Sequence, residues 1–357
     1  MKKRLLALAL AFALLLACTA CGGGTEFTET SKESEESSQA EKEQGILNIL
    51  TGTRDMATEN ARPIGFVVTD ESSSVMQLNL EAADMYLEAE TEGGIPRILA
   101  IFSSVDRMPD VIGPVRSARP HFVKIAKALD AIYCHIGGSP TGKQTIKNLG
   151  VDDLSNEYEK NQKLIASDNV SWNVSAFTKD KVLNAVDKKG LRTTTSTKAP
   201  YEFGEVTGGT DATNVSVRIS ASYKIAFDYD DANGVYLKHR NSADTPLHVT
   251  GTGGSVTASN VIVMFDNRTI DETWTDEKGN HVRYDFDLNS GEGLLFSQGK
   301  YKTIRWTRTN DQLSFFEEDG KPLTVAVGKT FLCLTSKEYK NDTLITTPTP
   351  AADTAAE

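Results

Sequence analysis

The sequence predicts an α+β chain with two folded parts. The first is an N-terminal mixed α/β layer domain over residues 59–207; the second is an antiparallel, β-rich, sandwich-like domain over residues 208–340. Three observations predict this. Strand-like and helix-like apolar runs alternate through the first part, as they do where helices cover a sheet. Beyond Gly208 only short alternating runs recur, with turn signals between them. Ahead of both parts stands a basic, then apolar, then acidic N-terminus that has no place in a folded core.

In the first part, Ile64–Val68 follows Pro63 as a buried strand, and Ile98–Phe102 is a continuous apolar strand. Leu80–Glu90 carries Leu80, Met85, Tyr86 and Leu87 with Ala82 and Ala83, which predicts a helix. Phe122, Ile125, Ala126 and Leu129 recur at helical spacing, and Ala131–Ile136 is a further strand. The second part has its runs at Val215–Ile219, Tyr223–Phe227, Val261–Phe265, Val282–Phe286, Tyr301–Trp306, Leu313–Phe316 and Phe331–Leu334. Asn233-Gly234, Lys278-Gly279-Asn280, Gln298-Gly299 and Asp319-Gly320 mark turns between them.

The N-terminus reads as an address. Met1-Lys2-Lys3-Arg4 is followed by 13 apolar residues from Leu5 to Ala17. A membrane-spanning helix needs about 20 residues, so this run fits the apolar region of a secretory signal peptide. Ala17-Cys18-Thr19-Ala20-Cys21-Gly22-Gly23-Gly24 is similar to a bacterial lipobox, in which a cysteine is acylated before cleavage. Cys21 is taken as the lipidated residue, with Cys18 as the alternative register; residues 1–20 are then the signal peptide. Two or more acyl chains give stable anchoring, so the expected partner is the outer face of a bacterial membrane. Residues 25–44 hold seven acids, two lysines and a single aromatic, which predicts a disordered tether, extending from 21 to 58. Residues 341–357, ending Thr/Pro/Ala-rich, predict a free tail.

Charge narrows the function. The 357 residues include 38 basic and 49 acidic side chains, a net charge of −11, and loss of Lys2, Lys3 and Arg4 with the signal leaves −14. Such a polyanion is not a nucleic-acid binder. Cys134 and Cys333 lie in separate apolar runs and read as buried, separate thiols, with a disulfide between them as the alternative. The histidines His239, His248 and His281 show no i, i+4 pair, and no metal or cofactor is expected.

Two stretches carry the candidate chemistry. In Ile112-Gly113-Pro114-Val115-Arg116-Ser117-Ala118-Arg119-Pro120-His121-Phe122, Pro120 suits a first helical position and disfavours helix at Arg119. Arg116 and Arg119 therefore stand just ahead of a helix N-terminus, where amides and dipole already favour a phosphate or carboxylate. The alternative is internal pairing with Asp106, Asp110 or Glu92. His121 falls in the first helical turn and is expected at the surface. The second stretch, His135-Ile136-Gly137-Gly138-Ser139-Pro140-Thr141-Gly142-Lys143-Gln144, runs from a strand end through a glycine-rich loop into a helix. It approximates a phosphate loop, but Gln144 stands where a magnesium-binding hydroxyl is needed and Pro140 removes a donor, which argues against an NTPase. His135 is placed to act as a base or ligand.

Glu92–Phe102, Gly113–Pro120 and Asp130–Pro140, with Gly293-Leu294-Leu295-Phe296 and Gly328-Lys329-Thr330, resemble the YerB-like bacterial lipoproteins. The resemblance covers residues 60–336, approximately, and implies an α/β domain followed by a β-rich domain, without an established activity. Arg97, Arg116, Arg119, His135 and Ser139 match the pattern of that family. Members of that family carry an Asn-His pair and an Arg-Pro-Gln segment where this chain has Thr69-Asp70 and Ser72–Gln77. They carry Pro-His-Asn where this chain has Ser171-Trp172-Asn173. The retained residues suit anion binding better than acid–base chemistry.

Two functions follow as expectations. One is an envelope binding or accessory protein that recognises a phosphate or carboxylate of a cell-wall polymer or envelope protein through Glu92, Arg97, Arg116, Arg119, His135, Gly137, Gly138 and Ser139. The other is an envelope enzyme acting on a phosphorylated or glycan substrate, with His135 as base. Arginines buried against acids would weaken both.

Overall fold

The computed structural model describes residues 45–70, 77–156, 159–166, 170–240, 246–277 and 279–346. Cys18, Cys21, the acidic segment to Gln44, Ser72–Met76 and the tail from residue 347 lie outside the described residues, as do the side chains of Ser171–Asn173. Among the described residues, no helix is long and apolar enough to cross a membrane.

An 11-stranded mixed sheet organises the molecule, and both parts of the sequence contribute to it. From one edge to the other its strands run Thr210–Asp211, Lys300–Thr309, Ser290–Ser297, Asn260–Asp266, Thr330–Ser336, Met85–Glu90, Pro96–Phe102, Ile64–Thr69, Ile132–Cys134 and Asp153–Leu154, with Gln312–Glu317 paired on Lys300–Thr309. The change at Gly208 leaves the sheet unbroken. Thr330–Ser336, late in the chain, pairs parallel with both Asn260–Asp266 and Met85–Glu90. The purely antiparallel second part read from the sequence is thereby corrected: strands that pair across the halves need no hairpin, and hairpin signals were the sequence evidence.

Both faces of this sheet are covered, which explains the continuous apolar runs. Along each strand alternate residues enter different cores. Val67, Leu99, Ile101, Ile262, Met264, Leu332 and Leu334 pack with Phe122, Ile125 and Ile146. These last three come from helices α1 (Pro120–Ala128) and α2 (Pro140–Leu149). Phe66, Val68, Ile98, Ala100, Val261, Val263 and Phe331 pack on the opposite face with Val217, Ile225, Phe227 and Tyr236. A five-stranded sheet, Thr257–Ala258, Val235–Arg240, Lys224–Asp230, Asn214–Arg218 and Leu344–Thr346, supplies that second cover. Helix α3 (Lys179–Lys189) joins it through Val182 and Val186.

Four further expectations are corrected. Leu80–Glu90 is a three-residue 3-10 turn, Leu80–Ala82, followed by the strand Met85–Glu90. That strand lies mid-sheet with every residue buried, so its apolar positions need not alternate and their clustering imitates a helical face. The tether ends sooner than residue 58: Ile46 bridges Met56, Leu50 is fully buried and Asn48 bonds the backbone at Leu50 and Gly52. The tail begins later than residue 341, because Leu344–Thr346 pairs with Asn214–Ser216. His121 is fully buried against Phe122 and Phe286. Helix α1 turns its first residues toward a neighbouring strand ribbon and away from water.

Candidate functional site

The two motif stretches meet at one end of the main sheet. The parallel strands Ile64–Thr69 and Ile132–Cys134 end side by side, and Arg97 pairs with Thr69 at that edge. Backbone bonds lace the loops together: Ile136 donates to Arg116 O at 3.0 Å, Ala118 to Gly137 O at 3.1 Å and Ser139 to Ala118 O at 3.2 Å. Gly137 holds φ +68, a left-handed conformation that favours glycine. At Gly142 a Cβ would lie 2.8 Å from Ala118 O, so the loops could not close over any other residue.

Each helix begins as the sequence predicts. Arg119 caps α1 in an extended conformation with Pro120 following it. Ser139 caps α2, its Oγ accepting from Gly142 N at 2.9 Å. Ser139 is thus committed to its own helix.

The arginines converge on Glu92. Glu92 Oε1 accepts from Arg97 Nη2 at 2.6 Å and from Arg119 Nη2; Oε2 accepts from Arg119 Nε at 2.8 Å. Arg97 Nη1 donates to Ser117 O at 2.9 Å, and Arg119 Nη1 to Ala118 O at 2.7 Å. Arg97 and Arg119 are only 8% and 4% exposed. Burial works to raise the Glu92 carboxyl, but the Arg119 hydrogen bond and the charges of Arg97 and Arg119 outweigh it and hold it at about 2. Burial together with the Arg119 charge pushes Arg97 down to about 10.

A ribbon from the second half of the chain lies over this place. Its strands, Arg268–Asp276 and Gly279–Phe286, form a two-stranded sheet, and Arg283 bridges it to the turn at Glu92. Arg283 brings Nε to 3.9 Å from Glu92 and also pairs with Glu272, while its guanidinium lies 4.9 Å from the Trp274 ring. Thr141 donates to Asp271 at 2.7 Å, and Lys124 to Asp285 at 2.8 Å. Asp285 also faces His121 Nδ1 at 3.6 Å. Arg116, Ser117, Gly137 and Lys143 remain partly or fully exposed along the rim.

His135 is engaged on both sides of its ring. Nδ1 lies 2.6 Å from Gly137 O and Nε2 lies 3.1 Å from Asp153 Oδ2. Both partners are acceptors, so the ring satisfies both only with two N–H groups. The His135 hydrogen bond is the main influence holding Asp153 below the usual carboxylate range. With 3% exposure and both nitrogens occupied, His135 positions the glycine loop.

A separate cleft of about 320 Å³ opens beside Asp266, Asn267, Asp287, Glu292, Lys337 and Lys340. None of the residues singled out by the sequence lines it, and Lys340 is paired with Glu292.

Family models match both parts of the chain. The N-terminal domain described as "Protein of unknown function (DUF3048)" matches residues 50–192, and the corresponding C-terminal domain matches residues 215–332. The chain belongs to the DUF3048 family. A curated relative, "Putative lipoprotein YerB" of Bacillus subtilis (strain 168), is 30% identical over 292 residues, covering 79% of this chain and 84% of the relative. The crystal structure of YerB from Bacillus subtilis superposes with a TM-score of 0.69 at 25% identity, over 84% of this chain and 99% of that one.

This DUF3048 protein also holds a second polar centre that the sequence reading passed over. Between the main sheet and the five-stranded sheet lie Asp70, Gln77, Glu88, Lys238 and His248, each essentially without exposure, with Arg240 beside them. Lys238 Nζ is 3.1 Å from Glu88 Oε2 and 3.3 Å from Asp70 Oδ2. Charged residues at inward positions of Met85–Glu90 and Val235–Arg240 were the available signal. Sequence periodicity alone did not say which face was inward.

Proposed function

We propose that this protein is a lipid-anchored accessory protein of the outer face of the bacterial membrane, and that its arginine seam binds an anionic group of the cell envelope. The carrying observation is an imbalance of charge. Three guanidinium groups, from Arg97, Arg119 and Arg283, converge on the single carboxylate of Glu92, while Glu272 reaches Arg283 alone. Arg116 adds its field to Arg97. Excess positive charge at the start of α1 is stabilised by an anion, and Glu92 occupies the fork as an internal carboxylate would.

Arg97 and Arg119 are buried against Glu92, the internal pairing that weakens the expectation of both as direct ligands. The reading therefore places contact at the rim, on Arg116, Lys143 and the amides of the Gly137-Gly138 loop, with the buried pair supplying field. The relative named "Putative lipoprotein YerB" supports membrane anchoring, and the signal-like N-terminus and lipobox-like segment support the outer face.

Calorimetric titration of the full chain with inorganic phosphate and with a phosphodiester-linked glycan fragment tests this. Arg116→Gln with Lys143→Gln should preserve the melting midpoint and weaken binding about tenfold or more, since a hydrogen bond to a charged group contributes about 1.5–3 kcal/mol. Failure of the wild type to bind either anion overturns the reading.

A further inference from the structure

Lys238 shares its strand face with Tyr236 and Arg240, turned into the space between the two sheets. Its Nζ has three close neighbours: Glu88 Oε2 and His248 Nδ1, both at 3.1 Å, and Asp70 Oδ2 at 3.3 Å. The Phe331 ring lies 5.7 Å from Nζ and packs against Tyr86 and Phe227. A primary amine, two carboxyl groups and an imidazole thus share a pocket that is closed to water.

The two oxygens of Asp70 are treated differently. Oδ1 lies 3.0 Å from Arg240 Nε and accepts from Gln77 Nε2 at 3.0 Å, and Arg240 also bonds Gln77 Oε1. Oδ2 faces Lys238 and the Tyr223 hydroxyl, the latter at 3.2 Å. Negative charge developing on Oδ1 would therefore meet one amide donor, Gln77, and the Arg240 charge, while Oδ2 stands on the side of the amine. Glu88 and Asp70 face the same ammonium, at 3.1 and 3.3 Å, and two carboxyls sharing one buried site favour a proton on one of them. Burial is the main cause pushing the Glu88 carboxyl up to about 8, so that proton is present at neutral pH. Burial holds the His248 imidazole well below its ordinary range, and its Nδ1 stands 3.1 Å from Nζ.

We propose that Lys238 Nζ and Asp70 Cγ condense within the folded chain to an amide, with Glu88 as the proton relay and one water as the product. The ion pair first exchanges a proton, Nζ to Oδ2, which leaves a neutral amine facing a neutral acid. Attack of Nζ on Cγ places the charge on Oδ1, between Arg240 and Gln77. Glu88 protonates the Oδ2 hydroxyl, which departs as water, and recovers a proton from the nitrogen. Overall an ammonium and a carboxylate become an amide and water, with no oxidant or co-reactant. Proximity in a rigid core supplies what free amine and acid lack in solution. The bond would tie the end of Ile64–Thr69 to the five-stranded sheet, in a chain whose described cysteines, Cys134 and Cys333, form no disulfide.

Tryptic mass spectrometry of the full chain reads the bond directly. In wild-type protein, residues 55–97 and 225–240 should appear as one branched peptide, lighter than the pair by one water and uncut at Lys238. Fragment ions should place the branch on Asp70. Glu88→Gln should melt cooperatively yet yield mostly separate peptides. Separate peptides of ordinary mass from the folded wild type, or a branch on Glu88, overturn the proposal.

Discussion

Arg97 and Glu92, five residues apart on either side of a tight turn, meet at 2.6 Å with the arginine nearly sealed from solvent. Because Glu92 is depressed from 4.5 to about 2, its contribution to stability is complete above pH 4.5. It is lost as pH falls from there toward 2, and amounts to roughly 3–4 kcal/mol at 1.36 kcal/mol per pKa unit. Glu92→Gln should remove this part of the acid dependence. It should also destabilise the protein at neutral pH by about 3–5 kcal/mol, because Arg97 and Arg119 stay buried without their carboxylate. Urea titrations of both proteins at pH 3 and pH 7 measure the two effects together.

Residues 45–58 belong to the folded unit, and truncation should show it. A chain beginning at Gly45 should keep the midpoint of the longer protein, since removing a like-charged segment relieves self-repulsion. A chain beginning at Glu59 loses Leu50 and the Asn48 bonds. It should be less stable by at least the ~2–5 kcal/mol typical of emptying one buried leucine site. Equal midpoints for the two chains would show that this segment contributes no stability.

The ribbon Arg268–Phe286 should depend on Asp285. Lys124 donates both to Asp285 and to Phe286 O, the latter at 2.6 Å. Asp285→Ala leaves the ammonium and His121 facing an emptied site and should cost about 1–3 kcal/mol. Faster amide exchange should be confined to the ribbon and the first turn of α1; exchange rising evenly across the main sheet would refute this local role.

Lipidation rests on the sequence and is separately testable. Cells given a fatty-acid analogue should label the protein, Cys18→Ser with Cys21→Ser should abolish labelling, and the single variants should identify the register. Labelling that survives the double variant would rule out the lipobox.

The sequence by itself determined the local starts and stops. Pro120 after Arg119 and Pro140 after Ser139 set two helix N-termini, because proline fixes φ and excludes helix before it. The apolar runs at Ile64, Ile98, Val261 and Phe331 became strands, since both their faces are buried and neither needs a polar residue. The convergence of Arg116, Arg119, His135 and the glycine loop was also legible, as open sheets gather such loops at strand ends.

Only the tertiary structure decided which charges meet. Met85–Glu90 is a strand because its hairpin partner Pro96–Phe102 and the far-off Thr330–Ser336 flank it, and no pattern within its six residues encodes the second, so distant in the chain. The same pairing turns Glu88 toward Lys238, and the ribbon brings Arg283 to Glu92. Each contact spans more than 100 residues of sequence. Local propensity acts over one or two turns; a buried ion pair is fixed by sheet register, and register is set when the layers pack.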